Sequence, residues 1–205
     1  PVASAYRTVK ASRITSKDVC CVYGAGPIGL YAVQLIRLRG VKTVICLDTD
    51  AGAQRLELAK TLGATHVFNS REMSGQAIQQ ALEAIQFDQL VLETAGTPQT
   101  VALAIEAAGP RAQLALVGTL HHDLTLPAAT FGQILRKELN IVGSWMNYSG
   151  PWPGEEWQTA TRLLTEKRLQ LAPLIAHRGD AESFARAVQA LNGAPMQGKI
   201  LLKLS

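Results

Sequence analysis

The stretch that decides the fold is Val19-Cys20-Cys21-Val22-Tyr23-Gly24-Ala25-Gly26-Pro27-Ile28-Gly29, which leads directly into Leu30-Tyr31-Ala32-Val33-Gln34-Leu35-Ile36. A short apolar run that ends in turn residues predicts a buried strand of a parallel sheet. The glycine-rich hexapeptide predicts a tight turn, and the apolar periodicity after it predicts a helix. Strand, glycine turn and helix in this order are typical of the first unit of a doubly wound α/β sheet.

The same glycine turn predicts a site for the pyrophosphate of a dinucleotide. Gly24 allows the tight turn, Gly26 lets a pyrophosphate approach the backbone, and Gly29 lets the helix pack close to the strand. Pro27 and Ile28 begin the helix, whose N-terminus offers unpaired N–H groups to an anion. Because glycine-rich turns also occur where nothing is bound, this motif needs support from the rest of the chain.

An acidic residue at the end of the next strand gives that support. The apolar run from Val41 to Leu47 predicts a second parallel strand that ends at Asp48, 19 residues after Gly29. A carboxylate there can accept hydrogen bonds from the ribose hydroxyls of an adenosine and would repel a 2′-phosphate, so NAD is favoured over NADP. The alternative is an aspartate that ends a strand or caps a helix.

Composition narrows the class of protein. With 205 residues and 47% hydrophobic content, the chain can bury one good-sized core. No apolar run approaches the roughly 20 residues that cross a bilayer, and no signal-peptide pattern is visible, so we expect a cytoplasmic protein without a membrane partner. The net charge of +4 is scattered, so no nucleic-acid partner is expected. Cys20, Cys21 and Cys46 fall inside predicted strands and are expected to be buried thiols.

Strands and helices alternate along the rest of the chain. This alternation predicts a doubly wound, Rossmann-type parallel sheet of six strands in residues 15–144, preceded by an entry segment, residues 1–14, whose residues 1–12 have helical spacing. The last strand of the sheet is expected at one edge, and two later strands have no obvious partner in it. Beyond the elements already described, the predicted helices are residues 1–12, 53–62, 74–85, 98–108, 155–167 and 181–191, and the predicted strands are residues 65–69, 89–93, 113–117, 139–144, 174–176 and 199–202.

The order of these features resembles the medium-chain dehydrogenase/reductase family, which comprises zinc-dependent polyol and alcohol dehydrogenases. The similarity covers essentially the whole chain, and the tail around residues 131–139 and 143–149 resembles members that act on a sugar-alcohol phosphate. The stretches that carry it are Gly24 to Gly29, Arg55-Leu56-Glu57-Leu58-Ala59-Lys60 with Leu62-Gly63-Ala64, Glu93-Thr94-Ala95-Gly96, and Val117-Gly118-Thr119.

The resemblance implies a second domain. In this family a GroES-like catalytic domain precedes the first Rossmann strand and carries the catalytic zinc, so we expect residues 1–14 to enter from it and residues 145–205 to return to it as its C-terminal remnant. Zinc is expected in the intact enzyme but not on this chain, because its four histidines, at positions 66, 121, 122 and 177, have no ligand spacing. The chain is therefore expected to bind the cofactor without turning over. The edge strand at residues 139–144 is expected to join copies as a homodimer or higher homo-oligomer.

The resemblance leaves two choices for the ribose carboxylate. Counting forward from the glycine turn selects Asp48, whereas counting backward from Gly63 selects Asp50. We choose Asp48, because the turn at residues 49–53 can absorb the extra residues. Arg55 then lies either near the adenine edge or in solvent on its helix.

The nicotinamide is expected at the carboxyl edge of the sheet, where strand order reverses. This position corresponds to Ala95, Gly96, Val117, Gly118 and Thr119. Two other classes of protein share parts of the pattern, namely a non-catalytic dinucleotide-sensing module and an S-adenosylmethionine-binding domain. The proline inside the glycine turn and the aromatic loop from residue 145 to residue 157 favour the dehydrogenase.

Overall fold

A computed structural model describes residues 1–49, 54–85, 90–146, 149–191 and 198–204. Six parallel strands form one sheet in the order β3-β2-β1-β4-β5-β6. The strands are β1 (Val19–Tyr23), β2 (Thr43–Asp48), β3 (His66–Asn69), β4 (Leu90–Glu93), β5 (Gln113–Leu116) and β6 (Asn140–Gly143). The helices are α1 (Val2–Ala11), α2 (Pro27–Leu38), α3 (Gln54–Thr61), α4 (Gly75–Ala84), α5 (Pro98–Ala107), α6 (Ala128–Arg136), α7 (Gly154–Thr165) and α8 (Ala181–Leu191).

Strand order reverses between β1 and β4, since the chain runs outward through β2 and β3 and then returns to the other side of β1. Parallel strands all end at the same edge, so the ends of β1, β2, β4 and β5 lie there together. In doubly wound sheets this is the edge where ligands bind.

Both faces of the sheet are covered, and this explains why its strands are continuously apolar. One buried cluster joins a face of the sheet to α1, α2, α3 and α7, and the other joins the opposite face to α4 and α5. The three cysteines lie inside these layers as free, buried thiols, as predicted. Burial raises the pKa of Cys20 to about 12, so this thiol stays protonated at neutral pH.

The six-stranded parallel sheet and the edge position of β6 confirm two predictions from the sequence. Helix α6 was not predicted, because the segment before it carries the mixed polar and apolar residues Leu120-His121-His122-Asp123-Leu124 and its own cap, Pro127, makes no side-chain capping bond. The predicted starts of α3 at Ala53 and of β4 at Gln89, and the alternative residue Asp50, lie outside the described residues.

The C-terminal part forms a separate two-stranded parallel sheet from β7 (Ile175–Gly179) and β8 (Lys199–Leu202). The strand predicted at residues 174–176 begins one residue later, at Ile175, and extends to Gly179. Leu174 belongs instead to a 3-10 turn, and its side chain is fully buried in the main core. Helix α8 lies between the two strands in the chain and packs on both. Among the helices of the described residues, none combines the length and apolar character needed to cross a membrane.

We expect Gly29→Ala to destabilise the fold by about 3 kcal/mol, because its Cβ would lie 1.9 Å from the Gly24 carbonyl oxygen, which belongs to the backbone and cannot rotate away. Gly143→Ala is the matched control, because a Cβ there meets nothing within 4 Å. Its stability should stay within about 0.5 kcal/mol of the unmodified chain in urea unfolding. Equal stability of the two variants would contradict the close contact.

Candidate functional site

The glycine turn between β1 and α2 is held by backbone contacts that exclude side chains. Gly24 has a φ of +101°, a conformation that favours glycine, and its amide donates to the Leu47 carbonyl at 2.7 Å. A Cβ on Gly24 would lie 2.9 Å from the amide nitrogen of Ala95. The turn therefore contacts both the end of β2 and the end of β4, and the residues that the sequence assigned to turn geometry do have that geometry.

Gly26 differs from its two neighbours because the space next to it is open. An ideal Cβ on Gly26 meets no atom within 4 Å. Gly26 is also the N-cap of α2, and no side chain caps this helix, so the amides of Ile28 and Gly29 in its first turn donate to no capping side chain. An open backbone approach next to uncapped amides suits a pyrophosphate.

The carboxylate of Asp48 lies at the end of β2, next to this turn. Its Oδ2 accepts a hydrogen bond from the Ala25 amide at 2.5 Å, and its Oδ1 lies 2.7 Å from Nη2 of Arg55 on α3. The Asp48 side chain is 8% exposed and that of Arg55 is 19% exposed. The sequence placed Arg55 either near the adenine edge or in solvent, and it did not predict this ion pair. The pair forms because the fold brings the end of β2 and the start of α3 together.

Thr94 contacts the glycine turn, although the sequence did not predict it as a site residue. It belongs to the stretch Glu93-Thr94-Ala95-Gly96, which resembles the family. Its hydroxyl donates to the carbonyls of Tyr23 and Gly24, with oxygen–oxygen distances of 2.8 and 3.1 Å. The same oxygen lies 2.9 Å from the positions that a Cβ on Gly24 or Gly29 would occupy. Thr94 therefore joins the end of β4 to the glycine turn.

Glu93 is fully buried at the end of β4, although it follows three apolar residues. Its Oε1 accepts hydrogen bonds from the amides of Ala95 and Gly96 at 3.0 and 2.8 Å and from the Thr100 hydroxyl at 2.8 Å. Its Oε2 has no hydrogen-bond partner within the described residues. In the sequence, the signal that could have identified Glu93 is an acidic residue that directly continues a run of apolar strand residues.

The two turns predicted to flank the nicotinamide lie directly against each other. A Cβ on Gly118 would be 2.2 Å from the Gly96 amide nitrogen, and one on Gly96 would be 2.4 Å from the Thr119 carbonyl oxygen. The structure thus brings Ala95 and Gly96 together with Val117, Gly118 and Thr119. An open cleft of about 410 Å³ adjoins the turn after β5 and is lined by Arg7, Leu116, Val117, Gly118, Thr119, Gly143, Ser144 and Trp145.

Helix α1 contributes Arg7 to this cleft and is fixed to the end of the sheet by polar contacts. Nη1 of Arg7 lies 3.1 Å from Oε1 of Glu156 on α7, and the Thr8 and Ser144 hydroxyls are 2.7 Å apart. The Ser149 hydroxyl donates to Glu156, and this hydrogen bond lowers the pKa of that carboxyl group. A larger cleft of about 960 Å³ runs along α1 and strands β5 and β6, away from the glycine turn.

The histidines are not brought together. His66 lies on β3 and His177 on β7, where its Nε2 is 2.7 Å from the Ser183 hydroxyl, while His121 and His122 are exposed in the loop after β5. Within the part of the chain that the structure describes, no group of three or more His, Cys, Asp or Glu side chains could hold a metal ion. The site therefore offers groups for a dinucleotide and no metal-ligand set among those residues.

Comparison with known proteins defines the class. The family model for zinc-binding dehydrogenases matches residues 27–166, so the chain belongs to that family. The match includes α2, the turns after β4 and β5, and α7. Its fold is shared with solved members, and its glycine turn and strand-end carboxylate occupy the part of the fold that binds dinucleotides in doubly wound sheets.

Particular relatives are similar to most of the chain. The galactitol 1-phosphate 5-dehydrogenase of Escherichia coli K12 is 59% identical over 181 residues, which are 88% of this chain and 52% of that protein. The crystal structure of galactitol-1-phosphate dehydrogenase from Escherichia coli has a TM-score of 0.90 at 53% identity and covers 98% of this chain and 58% of its own. A short chain alcohol dehydrogenase from Escherichia coli CFT073, complexed with NADH, has a TM-score of 0.82 at 27% identity over 100% of this chain and 57% of its own. The chain thus spans about half the length of the relatives it matches.

We expect Thr94→Val to lower the free energy of unfolding by about 1–2 kcal/mol, because two partly buried carbonyls at the glycine turn lose their shared hydroxyl donor. Thr94→Ser keeps the donor and loses one methyl group, so it is the matched control and should recover part of the loss. Thermal unfolding followed by circular dichroism measures both. A serine variant less stable than the valine variant would show that packing, and not the hydroxyl, holds the turn.

Proposed function

We propose that the protein to which this chain belongs is an NAD-dependent, zinc-dependent polyol-phosphate dehydrogenase in the cytoplasm that oxidises galactitol 1-phosphate to tagatose 6-phosphate. The observation that carries the substrate is the 59% identity to galactitol 1-phosphate 5-dehydrogenase, which extends over 88% of the chain. The observation that supports the cofactor is the open, uncapped glycine turn beside a strand-end carboxylate. In the reaction, C5 of the sugar alcohol loses a hydride and its hydroxyl loses a proton.

The described residues fit a dinucleotide along the carboxyl edge of the sheet. In the proposed arrangement, the amides at the start of α2 hold the pyrophosphate, and the absence of a side chain on Gly26 leaves it room. Asp48 holds the ribose hydroxyls of the adenosine half. Bound NAD supplies a nicotinamide that accepts the hydride at C4. The turns at Ala95–Gly96 and Val117–Thr119 orient that ring at the adjoining cleft.

The ion pair between Asp48 and Arg55 supports NAD as the cofactor instead of NADP. Arg55 is the kind of residue that accommodates a 2′-phosphate, but its guanidinium lies 2.7 Å from the Asp48 carboxylate. A 2′-phosphate would bring a second negative charge to that carboxylate, and like charges at such distances repel strongly in a partly buried site. NAD brings two ribose hydroxyls instead, which can donate to Asp48.

Zinc fits no set of described residues, so we derive no catalytic step through it for this chain.

We propose that residues 145–205 contact a catalytic domain contributed by other residues of the protein. The eleven residues of α8 include none that is buried, although Val188 and other apolar side chains lie on it. Leu201, Leu202 and Leu204 near the C-terminus are exposed as well. Such apolar surface on a small βαβ unit supports a covering domain.

The direct test is an assay of the complete protein with galactitol 1-phosphate and NAD, in which NADH formation is followed by absorbance. Free galactitol and L-threonine serve as comparison substrates, the latter because L-threonine 3-dehydrogenases are also similar to this chain, at 28% identity. The proposal requires the highest kcat/KM with the phosphorylated polyol. Equal kcat/KM for galactitol and its phosphate would remove the proposed substrate, and turnover of L-threonine alone would replace it.

We expect Asp48→Arg to weaken NADH binding by about 1–3 kcal/mol and to improve NADPH binding, because the ribose acceptor is lost and the local charge is reversed. Fluorescence titration of the chain with each reduced cofactor measures both affinities. Gly26→Val is the control, because the valine side chain would fill the open space proposed for the pyrophosphate. This variant should unfold cooperatively but bind neither cofactor. A change of preference in Asp50→Arg, with none in Asp48→Arg, would assign the ribose to Asp50.

We propose that two copies pair through β6 and that the protein is at least a homodimer. Strand β6 is the edge of the six-stranded sheet, and the helix that precedes it leaves Phe131 and Leu135 exposed. An exposed edge with apolar neighbours suits a second copy across a two-fold axis.

Ile141→Pro removes a ladder donor and should convert the dimer to a monomer in sedimentation, whereas Ile141→Val should not. A monomeric unmodified chain at micromolar concentration would refute the pairing.

A further inference from the structure

We infer that Glu93 is a positioning residue for the nicotinamide half of the cofactor. Its carboxyl group and its backbone carbonyl fix the spacing between the turn after β4 and the turn after β5. The inference rests on the proposed function, because it assumes that a nicotinamide lies against these two turns. It assigns to Glu93 a role in binding geometry and no contact with the substrate.

The first observation is that Glu93 bonds to both turns at once. Its side-chain Oε1 accepts from the amides of Ala95 and Gly96, in the turn after its own strand. Its backbone carbonyl accepts from the amides of Val117 and Gly118, in the turn after β5, both at 2.9 Å. One residue therefore holds both turns that the cofactor proposal places beside the nicotinamide.

The second observation is that the two turns are too close together to admit a side chain between them. The Gly118 Cβ position lies 2.2 Å from the Gly96 amide nitrogen and 2.8 Å from Glu93 Oε2. A side chain at either glycine would separate the turns. The Glu93 Oε2 atom thus faces the second turn while Oε1 is bonded to the first, so the carboxyl group fills the space between them.

The third observation is that the sheet itself does not require an acid here. Glu93 is in register with Tyr23 on β1 and with Leu116 on β5. Leu116 shows that an apolar side chain suits this level of the sheet. Burying a carboxyl group costs free energy unless donors surround it, and here two amides and the Thr100 hydroxyl do so. The donors that offset this cost belong to the turn and to the first residues of α5, so the acid serves the turn.

The test compares NADH with ADP-ribose, which lacks the nicotinamide. Binding of both to the chain is measured by titration calorimetry for the unmodified chain, Glu93→Ala and Glu93→Gln. We expect Glu93→Ala to weaken NADH binding about tenfold or more and to leave ADP-ribose binding within about twofold. Glu93→Gln keeps one acceptor for the three donors, so its NADH affinity should lie between those of the alanine variant and the unmodified chain.

Two further variants separate positioning from loss of stability. Ile78→Ala removes a buried side chain from α4, on the same side of the sheet and outside both turns, and should lower the unfolding temperature without changing the ratio of the two affinities. Gly118→Ala forces the turns apart while leaving Glu93 in place, and should reproduce the selective loss of NADH binding. Gly118→Ala supplies the result if Glu93→Ala does not fold.

The outcomes are distinct. If Glu93→Ala and Gly118→Ala both weaken NADH binding and ADP-ribose binding equally, the positioning role is overturned. The proposed cofactor site would still stand, because the unmodified chain binds both ligands. Unchanged NADH binding in these variants would overturn it as well. Failure of the unmodified chain to bind either ligand would overturn the proposed cofactor site, and with it this inference.

Discussion

Contact between the Gly24 carbonyl and the backbone of Gly29 is the constraint on which the rest of the site depends. It brings the first turn of α2 so close to the end of β1 that a single added carbon atom would lie 1.9 Å from an oxygen. The direction of α2, and with it the position of the uncapped amides beside Gly26, follows from this packing. The Thr94 hydroxyl and the Asp48 carboxylate then join the turn to β4 and β2.

The two halves of the proposed cofactor site are built on different physical grounds. The adenosine half combines an open glycine approach with charged groups, because the Asp48 carboxylate and the Arg55 guanidinium lie within 2.7 Å of each other at the end of β2. The nicotinamide half consists mainly of backbone, and its shape is set by glycines and by one buried acid. A change of charge at Asp48 therefore acts on the first half, whereas added side-chain volume acts on both, at Gly26 in the first half and at Gly96 or Gly118 in the second.

Hydrogen bonds, an ion pair and shared packing also join the Rossmann sheet to segments outside it. The Gln34 side chain on α2 accepts from the Gln170 amide at 2.7 Å and donates to the Gln170 carbonyl at 3.3 Å. Helix α1 is bound to α7 through Arg7 and Glu156. Residues of α1, α7 and the 3-10 turn share the same buried cluster as α2. The helix that would carry the pyrophosphate is therefore hydrogen-bonded to and packed against the segments that lead to β7.

The sequence by itself determined the elements and their order, because a glycine turn, strand-like apolar runs and helical periodicity are local patterns. It predicted the parallel sheet, the edge position of β6 and the approximate bounds of most helices, and it placed Gly24, Gly26, Gly29 and Asp48 at the turn. Only the tertiary structure decided the ion pair of Asp48 with Arg55, the close contact of Gly96 with Gly118, the roles of Glu93 and Thr94, and the existence of α6. Asp48 and Arg55 are only seven residues apart, but their side chains meet because of the direction in which α3 packs against β2. The contact of Gly96 with Gly118 and the bonds of Thr94 to the glycine turn depend on strands and turns that are distant in the chain meeting at one edge of the sheet, and no local pattern encodes that distance.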